Sequence, residues 1–310
     1  MTQVAVLMAV YNGAAYLEDQ LDSLAAQTHP DWQLIASDDG SRDGSARILA
    51  DFAQAWPHSI LRQGPRQGGT ANFMSLIDTM EEITPRGTWM AFSDQDDVWL
   101  PDRLARGVAA LGGHSGPALY CSRTWITDVR LESRRLSAPR PRPLGFRNAL
   151  VQNVASGNTI LLNAAAADLV RDAAAEALAQ GGLPVVHDWW IYQLIAGAGG
   201  ALVHDDTPTL LYRQHGVNEI GANDGTRARI KRIRMLLAGD MRAWNDVNIA
   251  VLRRSAARLT PQNRALLADF AAARGRTLPA RLWQLRGLGL YRQTRISTAA
   301  LWVAACLGRL

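Results

Sequence analysis

Thr88-Trp89-Met90-Ala91-Phe92-Ser93-Asp94-Gln95-Asp96-Asp97-Val98-Trp99 is the stretch that decides how this chain is read. An apolar run, Thr88 to Phe92, feeds into three carboxylates within four positions, and Pro101 then opens a helical pattern, Asp102-Arg103-Leu104. Acids crowded at a strand end repel one another, so the cluster is costly unless a cation neutralises it. Asp94 and Asp96 lie two apart, and in an extended chain both side chains point to one side. A hard divalent ion with oxygen ligands is the natural occupant. The same residues also read as an acidic turn that caps the helix near Pro101, and on this stretch alone the two readings stand level.

Upstream, the same order of elements recurs. Val4 to Val10 is a continuous apolar run without alternation, as expected of a strand buried on both faces of a largely parallel sheet. It ends at Tyr11-Asn12-Gly13, after which Leu17, Leu21 and Leu24 recur at helical spacing. Trp32 to Ser37 is a second strand, ending in Asp38-Asp39-Gly40-Ser41, and Ile48, Leu49 and Phe52 mark a second helix. A short strand near Ser59 to Arg62 leads through Gly64, Gly68 and Gly69 into a helix carrying Phe73, Leu76, Ile77 and Met80. The fourth strand delivers Asp94. Four βα units in about a hundred residues argue for a parallel sheet wound with helices, whose ligands sit at the carboxyl ends of the strands. Tyr11-Asn12, Asp38-Asp39 and Asp94 to Asp97 all fall there.

Beyond the fourth unit the alternation loosens. Ala118 to Trp125 reads as a strand, Glu132 to Pro143 as an exposed Arg- and Pro-rich loop, Gly157 to Leu162 as a strand and Ala164 to Gln180 as a helix. His187-Asp188-Trp189-Trp190 opens a further helix through Ile195. Two short strands, Ala201 to Val203 and Thr209 to Tyr212, precede Arg213-Gln214-His215-Gly216. From Thr226 the pattern is helical and basic: Ile230, Ile233, Leu236 and Leu237 form a stripe among arginines, and Thr260-Pro261 starts another helix.

A chain of 310 residues with 48% hydrophobic content buries a sizeable core. Its net charge of +5 is unevenly spread: from Arg227 onward there are 17 basic and 3 acidic residues, a net +14, against 16 basic and 25 acidic before it, a net −9. Met1 to Val6 has no basic region followed by a long apolar segment, so no secretory leader is expected. The apolar run Ala299 to Leu307 is far below the ~20 residues of a membrane span. Cys121 and Cys306 have no metal-ligand spacing and suit a reducing cytoplasm.

Five motifs in order, Ala9-Val10-Tyr11-Asn12-Gly13, Asp38-Asp39-Gly40-Ser41, the glycine-rich segment up to Asn72, Asp94-Gln95-Asp96 and the later Asp188, resemble a family 2 glycosyltransferase of the GT-A fold over about residues 3 to 220. Ser93 to Trp99 with Tyr212 to Gly216 is similar to its rhamnosyltransferase-like branch. The resemblance implies an α/β GT-A domain over residues 1–225, with a nucleotide-binding half to about residue 115 and an acceptor half after it, then a basic helical C-terminal extension over 226–310. It implies an inverting, metal-dependent hexosyltransferase that moves a sugar such as rhamnose from a dTDP- or UDP-linked donor to a saccharide or lipid-linked saccharide in surface polysaccharide synthesis.

By the same resemblance, Asp96 holds a divalent metal, Mg²⁺ or Mn²⁺, and Asp94 reaches the ribose or the metal. His215 is a further ligand, and Ala9, Tyr11, Asn12, Asp38, Asn72 and Gln95 line the nucleotide-sugar. Asp188 is the general base that takes the acceptor's proton; its other reading is a helix N-terminal acid favoured by the macrodipole. The family often has an acid just before it, where His187 stands here. Trp189 and Trp190 form an acceptor platform or belong to the core. The Gln-x-x-Arg-Trp motif of processive synthases is absent, which implies single transfers. Two rivals remain: a sugar-phosphate nucleotidyltransferase, whose glycine-rich, Arg-containing first loop Tyr11 to Ala14 does not supply, and a non-catalytic nucleotide- or glycan-binding module.

The basic tail carries Trp283, Leu285, Leu288, Leu290, Trp302 and Leu307. It reads as a peripheral attachment to the anionic inner face of the cell membrane, or as a helical subdomain packed on the catalytic domain. No nucleic-acid motif accompanies the arginines, so a cytoplasmic protein with no nucleic-acid partner is expected.

Overall fold

The computed structural model describes residues 2–215 and 240–310. The stripe Ile230, Ile233, Leu236 and Leu237, and Gly216 of the His215 motif, lie outside the described residues. In chain order the elements are β1 (Val4–Val10), α1 (Leu17–Ala25), β2 (Trp32–Asp38), α2 (Ser45–Ala55), β3 (Ile60–Gln63), α3 (Gly69–Ile83), β4 (Trp89–Ser93), β5 (Val98–Trp99), α4 (Arg103–Leu111), β6 (Ala118–Thr127) and β7 (Arg134–Leu136). There follow α5 (Phe146–Ala149), β8 (Leu161–Leu162), α6 (Ala164–Ala179), α7 (His187–Gly197), β9 (Ala201–Arg213), α8 (Asp240–Arg254), α9 (Pro261–Arg274), α10 (Leu278–Gly287) and α11 (Arg295–Cys306).

The strands form one sheet in the order β3-β2-β1-β4-β8-β6-β9-β5, with β7 on β6. The first four strands are parallel, with Val10 opposite Asp38 and Met8 opposite Ser93, so three loops leave the sheet side by side. β8 runs antiparallel to β4 and β6, which makes the whole sheet mixed. The unbroken apolar run of β1 serves both faces. Val4, Val6, Met8 and Val10 pack with Leu17, Leu21 and Leu24 of α1, while Ala5 and Leu7 pack with Phe73, Leu76 and Ile77 of α3. Period-two alternation thus divides one strand between two cores.

Several expectations are corrected. The loop predicted over Glu132 to Pro143 contains β7, paired with the end of β6. Gly157 to Thr159 is a 3₁₀ turn, and only Leu161–Leu162 is strand. The two strands expected after Ala201 are one, because pairing with β6 continues through register shifts between Ser122 and Trp125 where Pro208 sits. α9 begins as read: the Thr260 hydroxyl accepts from the Asn263 amide, with Pro261 at its first turn.

The C-terminal helices share a core with the α3 face of the sheet through Leu252, Phe270, Leu285, Leu290, Leu301 and Ala305. The six apolar residues singled out in the tail therefore part company. Leu285 and Leu290 are buried, Leu288 and Trp302 are partly so, and only Trp283 and Leu307 remain exposed. Among the described residues, no helix is long and apolar enough to cross a membrane.

Candidate active site

Three loops at the carboxyl ends of β1, β2 and β4 are tied together by hydrogen bonds. Gln95 grips the backbone of Tyr11 from both sides: its Oε1 accepts from the Tyr11 amide at 2.8 Å and its Nε2 donates to the Tyr11 carbonyl at 3.0 Å. The next residue, Asn12, adopts φ 48°, a left-handed conformation that asparagine tolerates. Its amide donates to Ser41 Oγ at 2.8 Å, and Ser41 Oγ and amide donate to Asp38 Oδ1 at 2.5 and 3.1 Å. Tyr11 itself is 55% exposed, so its ring is available as a stacking face.

The glycine-rich segment is folded by the Asp39 side chain and by the Asp38 carbonyl, which accepts from the Gly64 amide at 2.8 Å. Asp39 accepts from the amides of Arg66 and Gly68 at 2.6 and 2.8 Å, just ahead of α3. Asn72, in the first turns of α3, donates through Nδ2 to the Ser37 carbonyl at 2.9 Å. Its buried Oδ1 has no hydrogen-bond partner among the described residues. A Cβ on Gly64 would lie 2.6 Å from Asp39 Oδ1 and 2.8 Å from Asn72 Oδ1, so only glycine lets the chain pass there.

The acids after β4 have different fates. Asp97 is fully buried, and its carboxylate accepts from Asn158 Nδ2 at 2.6 Å and from the Arg213 amide at 3.4 Å. Burial pushes its carboxyl well above the usual carboxylate range, and the neighbouring charges of Asp94 and Asp96 push the same way. Asp94 and Asp96 are partly buried, and Asp96 Oδ2 bonds His215 Nε2 at 2.6 Å. Beneath them the buried Arg213 donates to the Asp96 carbonyl at 3.0 Å and to Asp19 at 2.7 Å.

Arg103 stands behind this cluster, fully buried, with its guanidinium 3.6 Å from the centre of the Trp99 ring. It donates to the carbonyls of Asn158, Phe92 and Ile160. Burial lowers its pKa to about 9, against the opposing charges of Tyr120, Asp97 and Asp94. Replacing Arg103 with leucine takes a donor away from three buried carbonyls, of which that of Ile160 keeps the Phe92 amide at 3.4 Å, and removes the positive charge facing Asp97. The expected loss is about 3–5 kcal/mol of stability, read as a lower midpoint in urea unfolding; an unchanged midpoint would deny the network its structural part.

Asp188 opens α7. Gly157 donates to its Oδ2 at 3.0 Å, and its own neighbour Trp189 donates to Oδ1 at 2.6 Å. A Cβ on Gly157 would come within 2.9 Å of His187 Nε2, so the missing side chain is what lets this amide reach the carboxylate. His187 is buried and stacks on Phe73 with ring centres 3.9 Å apart; burial lowers its pKa to about 3, so the ring is neutral. Burial raises the Asp188 carboxyl above its ordinary value, and hydrogen bonds from Asn153, Gly157 and Trp189 only partly oppose this.

The structure thus links the predicted residues in one chain of contacts. Gly157 and Asn158, adjacent in sequence, hold Asp188 and Asp97; Asp96 touches His215; Gln95 holds Tyr11; and Asn12 and Ser41 lead to Asp38. Ala9 lies half-buried on β1 beside Ser37. The acceptor platform is corrected. Trp189 is buried and donates to the Ala149 carbonyl at 2.7 Å, and Trp190 is wholly buried, so neither presents a face to a sugar. Ser41 was read only as part of the Asp38 motif, Arg103 only as part of a helical pattern and Gly157 and Asn158 only as the start of a strand; no local pattern gave any of them a role.

The donor set of Asp94, Asp96 and His215, hard oxygens with one imidazole, fits a divalent cation in its chemistry. Among the described residues, however, no three His, Cys, Asp or Glu side chains are grouped to hold an ion by themselves. Asp94 and Asp96 would supply two carboxylates to such an ion, the remaining ligands coming from elsewhere.

The sequence profile of glycosyl transferase family 2 matches residues 5–167, which carry β1 to β4 and every loop described at their carboxyl ends. The dTDP-rhamnosyl transferase RfbG of Shigella flexneri is 26% identical over 229 residues, 73% of this chain and 78% of that one. An uncharacterized glycosyltransferase of Nostoc sp. is 34% identical over 109 residues, 34% of this chain and 32% of that one. Among solved structures, residues 1–349 of Staphylococcus aureus TarS in complex with UDP-GlcNAc align with a TM-score of 0.54 over 90% of this chain and 83% of that one at 12% identity, a likeness of fold. With more than half of its length matched and the acidic strand ends assembled on a GT-A sheet, this chain belongs to glycosyl transferase family 2.

Proposed function

We propose that the chain transfers a single sugar, rhamnose, from a dTDP- or UDP-linked donor to a saccharide or lipid-linked saccharide acceptor of surface polysaccharide synthesis, with inversion at the anomeric carbon. The observation that carries this reading is the Asp188 carboxylate, oriented by the Gly157 amide and joined through Asn158 to the acids after β4. The 26% identity with a dTDP-rhamnosyl transferase over 73% of the chain supports the donor.

In this reading the pyrimidine lies against Tyr11 and bonds Asp38, which Ser41 holds in place, and the Asn72 amide oxygen supplies a further acceptor. Asp94 and Asp96 would hold a divalent ion. When bound, such an ion neutralises charge developing on a departing diphosphate. Asp188 Oδ takes the acceptor hydroxyl's proton as that oxygen attacks. His187, neutral and locked between Phe73 and Phe92, fixes the start of α7 without exchanging protons.

For the acceptor we favour an open cleft of about 370 Å³ lined by Thr127, Asp128, Ser133, Arg134, Arg135 and Gln214. Gln214 precedes His215, which touches Asp96. A second cleft of similar size, along Gln3 and Arg86 to Trp89, opens at the amino ends of β1 and β4, away from the acids.

Incubation with dTDP- and UDP-linked sugars, Mn²⁺ and a saccharide acceptor tests the reading, with product configuration followed by NMR. Transfer with inversion is the expected result. Release of pyrophosphate from a nucleoside triphosphate and a sugar phosphate would instead establish a nucleotidyltransferase, and binding without turnover a non-catalytic module.

A base works only when deprotonated, and burial raises the Asp188 pKa. Activity is therefore full above that raised value and falls as pH drops through it. The acidic limb of kcat/KM should lie above the ~3.9 of an ordinary aspartate. A profile that stays flat down to that value would remove Asp188 from the role.

A further inference from the structure

The outer side of the last helix is apolar, and no described residue covers it. On α11 Ile296 and Val303, with Leu307 at its end, recur at i, i+7 and i+11 and are 84%, 51% and 52% exposed. Ala299 and Cys306, also exposed, fall on the same side. The opposite side, Leu301, Ala304 and Ala305, is buried in the core, so among the described residues the outward face takes no part in packing. Trp283 of α10 is 78% exposed as well. Single exposed apolar residues need no explanation, but an aligned set on one helix marks an interaction face.

Charge identifies the partner. Residues 270–310 contain seven arginines and no aspartate or glutamate. Arg276, Arg286, Arg295 and Arg309 are exposed. An apolar helix face begun by Arg295, on an acid-free segment that also exposes a tryptophan and further arginines, matches the boundary between anionic headgroups and acyl chains. A second copy of this chain fits less well, because a two-fold interface would set two arginine-rich, acid-free faces against each other.

We propose that the outer face of α11, together with the exposed Trp283 and the exposed arginines of the same acid-free segment, docks on an anionic phospholipid surface. The proposal rests on the C-terminal helices alone and stands or falls apart from the transfer reaction. The face is amphipathic and in-plane: Ile296, Val303 and Leu307 enter the headgroup region while the arginines stay at its level.

Sedimentation of the full chain with vesicles tests this, comparing phosphatidylglycerol–phosphatidylcholine mixtures with phosphatidylcholine alone. Binding to the anionic vesicles should exceed binding to the neutral ones at least about tenfold and weaken with salt. The double variant Ile296→Ser, Val303→Ser and, separately, Trp283→Ala should each lose most of the bound fraction at an unchanged melting temperature, since all three side chains are exposed. Equal sedimentation of wild type and both variants overturns the proposal. So does a concentration-dependent dimer that the double variant abolishes, which would show a second copy on the face. Binding to single-stranded polynucleotide but not to vesicles overturns it too.

Discussion

Asp188→Asn is expected to lower kcat by about 10²–10⁴-fold, the usual contribution of a positioned general base, while the affinity for donor nucleotide stays near that of the wild type. The geometry separates this outcome from a structural effect. Asp188 sits in the first turn of α7, where a carboxylate is favoured by the helix dipole whether or not it does chemistry. Asparagine keeps one oxygen for either the Gly157 or the Trp189 amide and turns its own NH₂ toward the other, a loss of about 1–3 kcal/mol. Removing a partly buried charge offsets part of that. Folding and nucleotide binding therefore survive, and turnover does not. Steady-state kinetics beside a nucleotide titration checks the split: a fall in affinity equal to the fall in kcat would make Asp188 a structural residue.

Asp96→Ala is the second large effect. Its carboxylate is one of two that can hold an ion at the strand ends, and it anchors His215 at 2.6 Å. Without it Asp94 remains as the lone carboxylate of the pair, while Asp97 is turned inward to Asn158 and the Arg213 amide. The expected loss in kcat/KM is about 10²–10³-fold or more, the range seen when one preorganised electrostatic contact to developing charge is removed. Residual activity should no longer respond to Mn²⁺ concentration, whereas the wild type should. A wild-type enzyme indifferent to chelation would contradict the assignment of Asp94 and Asp96 as metal ligands.

The half of the fold that carries the proposed donor site was legible because its central strands are buried on both faces. Such strands read as largely apolar runs, and each ends abruptly in polar residues of the proposed site: Tyr11, Asp38 and Asp94. The second half was harder for stated physical reasons. In β9 the polar stretch His204-Asp205-Asp206-Thr207-Pro208 interrupts the pattern, although the backbone ladder to β6 continues past it. Asp205 is used there to bind Arg106 and the Tyr120 hydroxyl, an internal contact that looks like a loop in sequence.

Gly157 and Asn158 look like the start of a strand because Thr159 to Leu162 follow. They form a tight turn instead, and their two polar contacts, one to Asp188 and one to Asp97, join parts of the chain more than thirty residues apart. No local pattern announces such a contact. The tryptophans after Asp188 were equally open to platform or core, and α7 settles it by turning both inward. The face of α11 was half visible: Leu307 and Trp283 were noted, but which of the tail's apolar residues face out depends on how three helices pack.

The central claim is that the strand ends of β1, β2 and β4 form one donor site whose ion is held by the acids after β4. Anomalous diffraction from crystals of the protein with Mn²⁺ and dTDP tests it most directly. A manganese peak bonded to Asp96 and to the diphosphate, with the thymine against Tyr11 and Asp38, is the expected result. A peak elsewhere, or a nucleotide bound away from these three loops, would contradict it.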